Sequence, residues 1–225
     1  MGGGQCAKLL PLRSAGERGK YRGLREVKKI NEVFYSLQGE GHHAGVPSVF
    51  VRFSGCNLHC PFCDTHHQEG REMTDGEIVA EIKRYSAAWI VLTGGEPSLF
   101  IDYDFVDFLK KTTGKRIAVE TNGTRSLPDN LDWVTLSPKT GICGEKGGEV
   151  VINHADEIKV VDTGQPLEKY FRMPCRTEDT KMYLQPCFVA DKEKFEANTV
   201  RTIRRVLEDP RWTLSVQLHR MLGIK

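Results

Sequence analysis

Short apolar runs and helical patterns alternate along this chain from about Ile30 onward. The apolar runs predict strands, and they lie at 49–53, 89–92, 117–119, 133–136, 158–161, 182–184 and 214–216. Between some of these runs the apolar residues recur at helical spacing, which predicts helices at 74–85, 103–111 and about 192–207. Thr74 and Glu77 have the pattern of a capping box at the start of the first helix. Because strands covered on both faces are apolar throughout, this order predicts a parallel α/β sheet, as a barrel or an open fraction of one.

Polar or glycine-rich segments follow five of the predicted strands. Each segment alone is consistent with a turn, since Gly-Gly and Asn-Gly are ordinary turn formers. The carboxyl ends of parallel strands meet at one edge of a sheet, so five such segments together predict a functional site there. They are the cysteine-rich residues 56–63, Thr93-Gly94-Gly95-Glu96-Pro97, Glu120-Thr121-Asn122-Gly123, Ser137-Pro138-Lys139 and Gln185-Pro186.

Cys56, Cys60 and Cys63 have the spacing Cys-x3-Cys-x2-Cys within one predicted loop. Three thiolates suit a cubane iron–sulfur cluster with one iron left open for a substrate or cofactor. Structural zinc is an alternative, because nearby histidines could supply a fourth ligand; these are His59, His66 and His67. Unligated thiols are the third interpretation, whereas the odd total of seven cysteines disfavours a disulfide framework.

Composition narrows the class of protein. The 225 residues are 39% hydrophobic and 28% charged, which is typical of one globular domain. No apolar run approaches the ~20 residues that span a bilayer, and the net charge of +2 does not indicate a nucleic-acid partner. An oxygen-sensitive cluster and scattered thiols fit a reducing compartment, so we expect a cytoplasmic protein.

The amino-terminal segment differs in charge from the rest of the chain. Residues 1–29 hold eight Lys or Arg and two Glu, a net charge of +6, whereas residues 30–225 carry −4. The segment is rich in glycine and has no apolar period, which predicts a poorly ordered basic extension over 1–28. A basic arm for nucleic acid is the alternative, and a signal peptide would need an apolar region that is missing. We therefore expect a single domain over 29–225.

The cysteine spacing, Phe62 and the sequence Gly94-Gly95-Glu96-Pro97 resemble the radical S-adenosylmethionine (SAM) superfamily. The resemblance covers nearly the whole chain from about residue 29 and implies a partial (βα) barrel that is open on one side. It implies that the three cysteines hold a 4Fe–4S cluster whose open iron binds SAM. The residues that would bind SAM by this resemblance are Phe62, Cys63, Asp64, Gly95, Glu96, Ser137, Pro138, Lys139, Gln185 and Pro186.

A narrower resemblance is carried by residues 35–41 (Tyr-Ser-Leu-Gln-Gly-Glu-Gly), by 51–56 and by Cys63-Asp64-Thr65. These segments resemble the 7-carboxy-7-deazaguanine synthase (QueE) family. That resemblance implies conversion of 6-carboxy-5,6,7,8-tetrahydropterin to 7-carboxy-7-deazaguanine with loss of ammonia, in the biosynthesis of queuosine and other 7-deazapurines. Thr65 would contact Mg²⁺, and the substrate would be bound by Leu37, Gln38, Gly39, Arg52, Thr93 and Lys225.

The same resemblance implies partners and a reaction course. Flavodoxin or ferredoxin would reduce the cluster, SAM would be cleaved to a 5′-deoxyadenosyl radical, and the radical would remove hydrogen from C6 of the substrate. The family also suggests a homodimer. Residues 216–225 resemble the family's closing strand and tail, although Leu218 stands where threonine is more frequent.

Two other functions share some of these features. A small radical SAM activating enzyme for a glycyl-radical partner has the same cysteine spacing, but it has no reason to carry residues 37–41 or Thr65. A non-enzymatic zinc module would explain the cysteines but not the five polar segments. The remaining cysteines are scattered thiols by default, with an auxiliary cluster as the alternative; they are Cys6, Cys143, Cys175 and Cys187.

Overall fold

The computed structural model describes residues 27–63, 69–143 and 148–225. Nearly all of the expected extension over 1–28 therefore lies outside the described residues. Asp64 and Thr65 also lie outside them, as do His66, His67 and Cys6. The first strand begins at Val27, two residues before the expected start of the domain.

Nine strands and four helices make up the described chain. The strands are β1 (Val27–Leu37), β2 (Pro47–Phe53), β3 (Arg71–Thr74), β4 (Trp89–Gly94), β5 (Arg116–Thr121), β6 (Trp133–Leu136), β7 (Glu157–Asp162), β8 (Lys181–Pro186) and β9 (Thr213–Leu214). The helices are α1 (Asp75–Ile82), α2 (Tyr103–Thr113), α3 (Lys192–Glu208) and α4 (Leu218–Leu222). Two short 3-10 turns lie at Pro97–Leu99 and Glu168–Arg172.

The strands form one mixed sheet in the order β3-β1-β2-β4-β5-β6-β7-β8-β9. Strand β2 and strands β4 to β9 are parallel, whereas β1 is antiparallel to both of its neighbours. Because β3 and β9 are at opposite edges of the described sheet, the barrel is open on one side. This arrangement confirms the expected partial barrel and adds an antiparallel pairing that the sequence analysis did not predict.

Side-chain caps start the three longer helices. Thr74 accepts a hydrogen bond from the backbone of Glu77 at 3.3 Å, and Glu77 accepts one from the backbone of Thr74 at 2.7 Å. The predicted capping box is therefore present at the start of α1. Asp102 and Asp191 cap α2 and α3 in the same position, each accepting from a backbone N–H in the first turn.

The two faces of the sheet bury different residues. The outer face packs against α1 and α2 through a large apolar cluster that includes Val51, Ile82 and Leu109. The inner face has a smaller apolar cluster near the amino ends of the strands, made of Phe34, Phe50, Trp89, Val91 and Ala118. Since side chains alternate along a strand, the next inward positions toward the carboxyl ends are polar; they are Arg52, Thr93 and Glu120.

The loop after β1 packs against the amino ends of the strands. The ring of His43 lies 4.6 Å from the rings of both Trp89 and Trp133, and His42 stacks on Trp133 at 4.9 Å. This loop brings residues 38–41 inside the barrel. Among the helices of the described chain, none has the length and apolar character that a bilayer crossing requires.

The carboxyl-terminal segment differs from the predicted strand and tail. Pairing with β8 is limited to Thr213–Leu214, and Leu218–Leu222 form a short helix instead of an extended strand. The backbone N–H of Leu218 donates to the carbonyl of Gly39 at 2.9 Å, and Gly223 ends the helix with a φ of 65°. The strand predicted at 214–216 therefore ends earlier, at Leu214, and the chain after it bonds to the loop after β1 rather than to β8.

Candidate active site

A cavity of about 270 Å³ lies inside the partial barrel toward the carboxyl ends of the strands. Most residues that the sequence analysis assigned to a site line it: Leu37, Gln38, Gly39, Arg52, Cys56, Cys60, Phe62, Cys63, Thr93, Gly95, Ser137, Lys139, Gln185, Pro186 and Lys225. Glu96 and Pro138 are not part of its wall. The roles expected for Asp64 and Thr65 fall outside the described residues.

The cysteine loop follows β2 and presents three sulfur ligands to the same cavity. Burial raises the pKa of the Cys56 thiol, and burial together with a hydrogen bond to Cys143 raises that of Cys60 to about 12. The backbone of Leu58 donates to the sulfur of Cys56 at 3.4 Å. These three cysteines would supply the thiolates that hold a 4Fe–4S cluster with one open iron, although in the described residues their sulfurs do not converge on one metal position.

The loop at Gly94 and Gly95 packs backbone to backbone against the cysteine loop. A Cβ on Gly95 would lie 1.8 Å from the carbonyl oxygen of Gly55, and Gly94 has a φ of 115°. The N–H of Glu96 donates to that same carbonyl at 2.9 Å, and the N–H of Gly95 donates to Phe53 at 3.0 Å. Glycine is required here because a side chain would separate the two loops.

Glu96 joins the ends of two strands from behind the cavity wall. Its carboxylate is buried and accepts from the hydroxyl of Thr121 at 2.6 Å, from the N–H of Asn122 at 2.7 Å and from the N–H of Ser98 at 3.1 Å. The amide of Asn122 in turn donates to Asn57 in the cysteine loop at 3.0 Å. The Glu96 carboxylate thus supports the cavity wall, and its expected contact with SAM stays a prediction.

Lys139 and Ser137 close the wall beside the cysteines. The ammonium of Lys139 donates to the hydroxyl of Ser137 at 2.5 Å and to its carbonyl at 3.0 Å. Burial lowers the pKa of Lys139, while the nearby Cys60 and Cys143 oppose that shift. A cationic side chain here would offset the negative charge of thiolates and of an anionic ligand.

Three charged residues meet inside the barrel and are here called the interior charge cluster: Glu40, Glu120 and Lys159. The ammonium nitrogen of Lys159 lies 2.5 Å from Oε2 of Glu40 and 3.4 Å from Oε1 of Glu120. Burial by itself would raise the pKa of Glu40, but the lysine lowers it to about 2. Burial likewise opposes the charge of Lys159, whereas the carboxylates raise its pKa above the usual range.

Neutral side chains hold the two carboxylates of the interior charge cluster. Gln38 and Thr93 donate to Glu120 at 3.1 and 2.9 Å. Gln185 and Gln217 donate to Oε1 of Glu40 at 3.1 and 2.7 Å. Gln38 and Thr93, which were expected to bind substrate, and Gln185, which was expected to bind SAM, therefore also position the cluster.

The sequence analysis assigned no role to the interior charge cluster. Glu40 and Glu120 stand within the motifs at 35–41 and 120–123, and Lys159 stands within the predicted strand at 158–161. The sequence does contain one signal of a polar interior at this point, which is the charged Lys159 between the apolar residues Ile158 and Val160. Both of these neighbours are fully buried, so a charged side chain between them must face a polar interior.

Glu157 lies two residues before Lys159 on the same face of β7. It accepts a hydrogen bond from the backbone of His42 at 2.9 Å, and burial raises its pKa to about 7. A Cβ on Gly41 would lie 2.0 Å from its carboxylate oxygen, so the loop after β1 passes directly over it. Glu157 therefore fixes the loop that carries Glu40.

A second charged group lies at the edge of the cavity near β1. Glu32 pairs with Arg52 at 3.1 Å and with the ammonium of Lys225 at 2.5 Å. Both cations also lie over the ring of Phe34, at 5.5 and 5.3 Å from its centroid. Two cationic side chains share the Glu32 carboxylate here, so a guanidinium and an ammonium group lie at this side of the cavity.

The fold and the cavity define a radical SAM enzyme. The family model described as "Radical SAM superfamily" matches residues 50–141, which contain the cysteine loop and Gly94-Gly95-Glu96-Pro97. The superfamily supplies the cofactors expected above, a 4Fe–4S cluster and SAM.

Whole-chain relatives define the family more narrowly. The chain is 48% identical over 199 residues to a 7-carboxy-7-deazaguanine synthase of Bacteroides thetaiotaomicron, covering 88% of this chain and 100% of the relative. A synthase of Haemophilus influenzae is 33% identical over 215 residues, covering 92% and 98%. The crystal structure of QueE from Escherichia coli superposes with a TM-score of 0.72 at 28% identity, covering 88% and 97%. The chain belongs to the 7-carboxy-7-deazaguanine synthase family, which confirms the narrower resemblance.

Proposed function

We propose that this chain converts 6-carboxy-5,6,7,8-tetrahydropterin to 7-carboxy-7-deazaguanine by radical ring contraction with loss of ammonia, in queuosine biosynthesis. The observation that carries the proposal is a single cavity lined by three cysteines at one wall and by the interior charge cluster at another. Membership of the synthase family supports the same reaction. A glycyl-radical activating enzyme would have no use for acceptors placed deep inside the barrel.

The cysteine wall is suited to the cofactors. Cys56, Cys60 and Cys63 would hold the 4Fe–4S cluster, and SAM would lie against Phe62, Gly95 and residues 137–139. When bound, the cluster supplies the electron that cleaves SAM to a 5′-deoxyadenosyl radical. The protein's own contribution is to bring the loops together, to exclude water and to hold the substrate in one orientation.

The charged residues around the cavity suggest how the pterin substrate is oriented. Arg52 can grip a carboxylate with two parallel hydrogen bonds, and Lys225 adds a second positive charge beside it. The substrate carboxylate would therefore lie at this side of the cavity. The pyrimidine edge of the pterin, which presents N–H donors, would face Glu40 and Glu120.

Among the described residues, Glu40 and Glu120 each have a free acceptor position, which supports placing the N–H edge of the pterin beside them. An ionised carboxylate offers about four lone-pair positions. Glu40 uses three of them, for Lys159, Gln185 and Gln217. Glu120 also uses three within the described chain, for Gln38, Thr93 and Lys159. Each carboxylate thus keeps one acceptor position for a donor in the cavity.

Four further features belong to the proposal. Thr65 would contribute a hydroxyl oxygen to Mg²⁺, which prefers oxygen ligands and retains several waters. A flavodoxin or ferredoxin would supply the electron, the protein would form a homodimer, and it would act in the cytoplasm.

A Thr65→Val enzyme should keep its cluster and show a weaker response to Mg²⁺; an unchanged response would remove Thr65 from the metal site.

Anaerobic turnover tests the proposed function. Reconstituted enzyme with SAM, Mg²⁺ and a chemical reductant should form 7-carboxy-7-deazaguanine from the carboxylated tetrahydropterin, as measured by mass spectrometry. Cys60→Ala should lose both iron and turnover, whereas the matched control Cys175→Ala, in the outer core, should keep both. A fully loaded wild-type enzyme that forms no product would refute the proposal.

A further inference from the structure

Lys159 is a buried cation that the proposed reaction does not use directly. It is 5% exposed, and its backbone neighbours on β7 face the apolar outer core. A buried ammonium loses its hydration, so it persists only where anions and hydrogen bonds replace water. The groups around the Lys159 ammonium therefore indicate its role.

The anions that surround Lys159 come from separate parts of the chain. Glu40 lies in the loop after β1 and Glu120 near the end of β5, and they approach its ammonium at 2.5 and 3.4 Å. Without the lysine, two carboxylates of like charge would remain close together at the cavity wall, with only 16% and 25% of their side chains exposed. Such pairs do not stay fully ionised near neutral pH, since one member takes up a proton.

We propose that Lys159 is a positioning residue that holds Glu40 and Glu120 as a pair of ionised acceptors for the N–H edge of the pterin. This inference rests on the proposed function, because it deepens the account of how that substrate is bound. Lys159 acts through the two carboxylates. Its loss should therefore change substrate affinity more than the cluster or the SAM site.

The geometry favours this role over simple charge balance. Both carboxylates line the cavity, and each keeps one acceptor position after the bonds within the described chain are counted. A lysine needed only for stability would not have to bring together two acceptors on the cavity wall. Lys28 shows the contrast, because it forms a buried pair with Asp75 at 2.7 Å, and neither residue lines the cavity.

The test compares Lys159→Met with the matched control Lys28→Met. Both substitutions remove a buried ammonium and keep most of the side-chain volume. In reconstituted holoenzyme we expect Lys159→Met to raise the KM for carboxytetrahydropterin at least about tenfold, while bound iron and SAM affinity stay within about twofold of wild type. Lys28→Met should lower stability and leave that KM within about twofold.

A pH profile provides a readout that a purely structural role would not change. In the Glu157→Gln background, which removes a neighbouring carboxyl whose pKa is about 7, Lys159→Met should add an ionisation in kcat/KM between about pH 5 and 8 that Lys28→Met lacks, because one carboxylate of the pair then takes up a proton. Other titratable or charged groups nearby are common to both variants: Lys139 after β6 and His219 on α4 beside the cluster, and Tyr183 on β8 beside residue 157.

Failure of the inference about Lys159 can be distinguished from failure of the proposed function. A folded Lys159→Met enzyme with the KM and pH profile of the control overturns the inference. If Lys159→Met does not fold, Lys159→Met/Glu157→Gln restores the charge balance and keeps both acceptors, with Glu157→Gln as its control, and the same KM criterion applies. If wild type binds the pterin but forms no product, the proposed function fails, and equilibrium binding to the same variants still decides the role of Lys159.

Discussion

Replacing Gly95 with alanine tests how closely the cofactor loop depends on the cysteine loop. The new Cβ would lie 1.8 Å from the carbonyl oxygen of Gly55 and 2.5 Å from its carbonyl carbon, whereas ordinary contacts are 3.4–4 Å. The obstructing atoms belong to the backbone, so no side chain can rotate away. One loop must therefore move by about 1.5 Å, which also strains the bond from Glu96 to Gly55.

The loss of stability in Gly95→Ala can be worked out from the steric clash and the strained hydrogen bond. Overpacking costs about 1–3 kcal/mol and a lost hydrogen bond about 1 kcal/mol, so Gly95→Ala should lose about 2–4 kcal/mol of stability. In a chain of this length that corresponds to a fall in melting temperature of about 5–15 °C. SAM affinity should fall at least about tenfold, because the displaced loop forms part of the wall that would hold it.

Gly114→Ala is the matched control for that experiment. Gly114 ends α2 with a φ of 67° and has no atom within 4 Å of an added Cβ, so alanine there strains only the local backbone. It should cost about 1–2 kcal/mol and leave SAM affinity unchanged. Thermal melts and equilibrium dialysis with SAM measure both variants. Normal SAM binding by Gly95→Ala, with no greater loss of stability than Gly114→Ala, would refute the reasoning.

Three further substitutions test other parts of the structure. Asp75→Asn removes the anion 2.7 Å from buried Lys28, so the unfolding free energy in urea should fall by about 3–5 kcal/mol; a loss under about 1 kcal/mol would contradict this. Burial raises the pKa of Glu157 from 4.5 to about 7, so the folded state binds this proton more tightly and stability falls as pH rises through that interval. Glu157→Gln, which still accepts from His42, should reduce that slope and exceed wild type in stability at about pH 8 in urea titrations; an unchanged slope would exclude Glu157 as its source. Arg52→Lys replaces two parallel hydrogen bonds by a point charge, so KM for the carboxypterin should rise about tenfold with little change in kcat; an unchanged KM would place the carboxylate elsewhere.

The sequence predicted the parallel part of the sheet closely because those strands are buried on both faces. Trp133–Leu136 was predicted with its observed bounds, and the neighbouring strands differ from the expected ones by a few residues. The antiparallel strand Val27–Leu37 was not predicted as such. Its pattern is broken by Lys28, which is buried because it pairs with Asp75 across 47 residues of chain. No local period reveals such a pair.

The site was predictable where chemistry demands one residue type at a fixed spacing. Three cysteines in one loop and a glycine at 95 leave such a signal in the sequence, because sulfur ligands and close backbone approach tolerate few replacements. Glu40, Glu120 and Lys159 leave a weaker one, since a carboxylate or an ammonium has many uses. Glu120 and Lys159 are brought together by the strand order, and Glu40 reaches them from the loop after β1.

Glu40 obtains its hydrogen-bond donors from residues that are synthesised much later. Lys159, Gln185 and Gln217 follow it by 119, 145 and 177 residues. Closing such long loops has an entropic cost that precedes any gain in contacts, and chains emerge from the ribosome in order. Glu40 therefore cannot complete its set of hydrogen bonds until Gln217, which follows the last strand, has been made. We expect pulse-labelled hydrogen exchange during refolding to show the backbone at 38–41 among the last to gain protection, after the helix-covered face has formed.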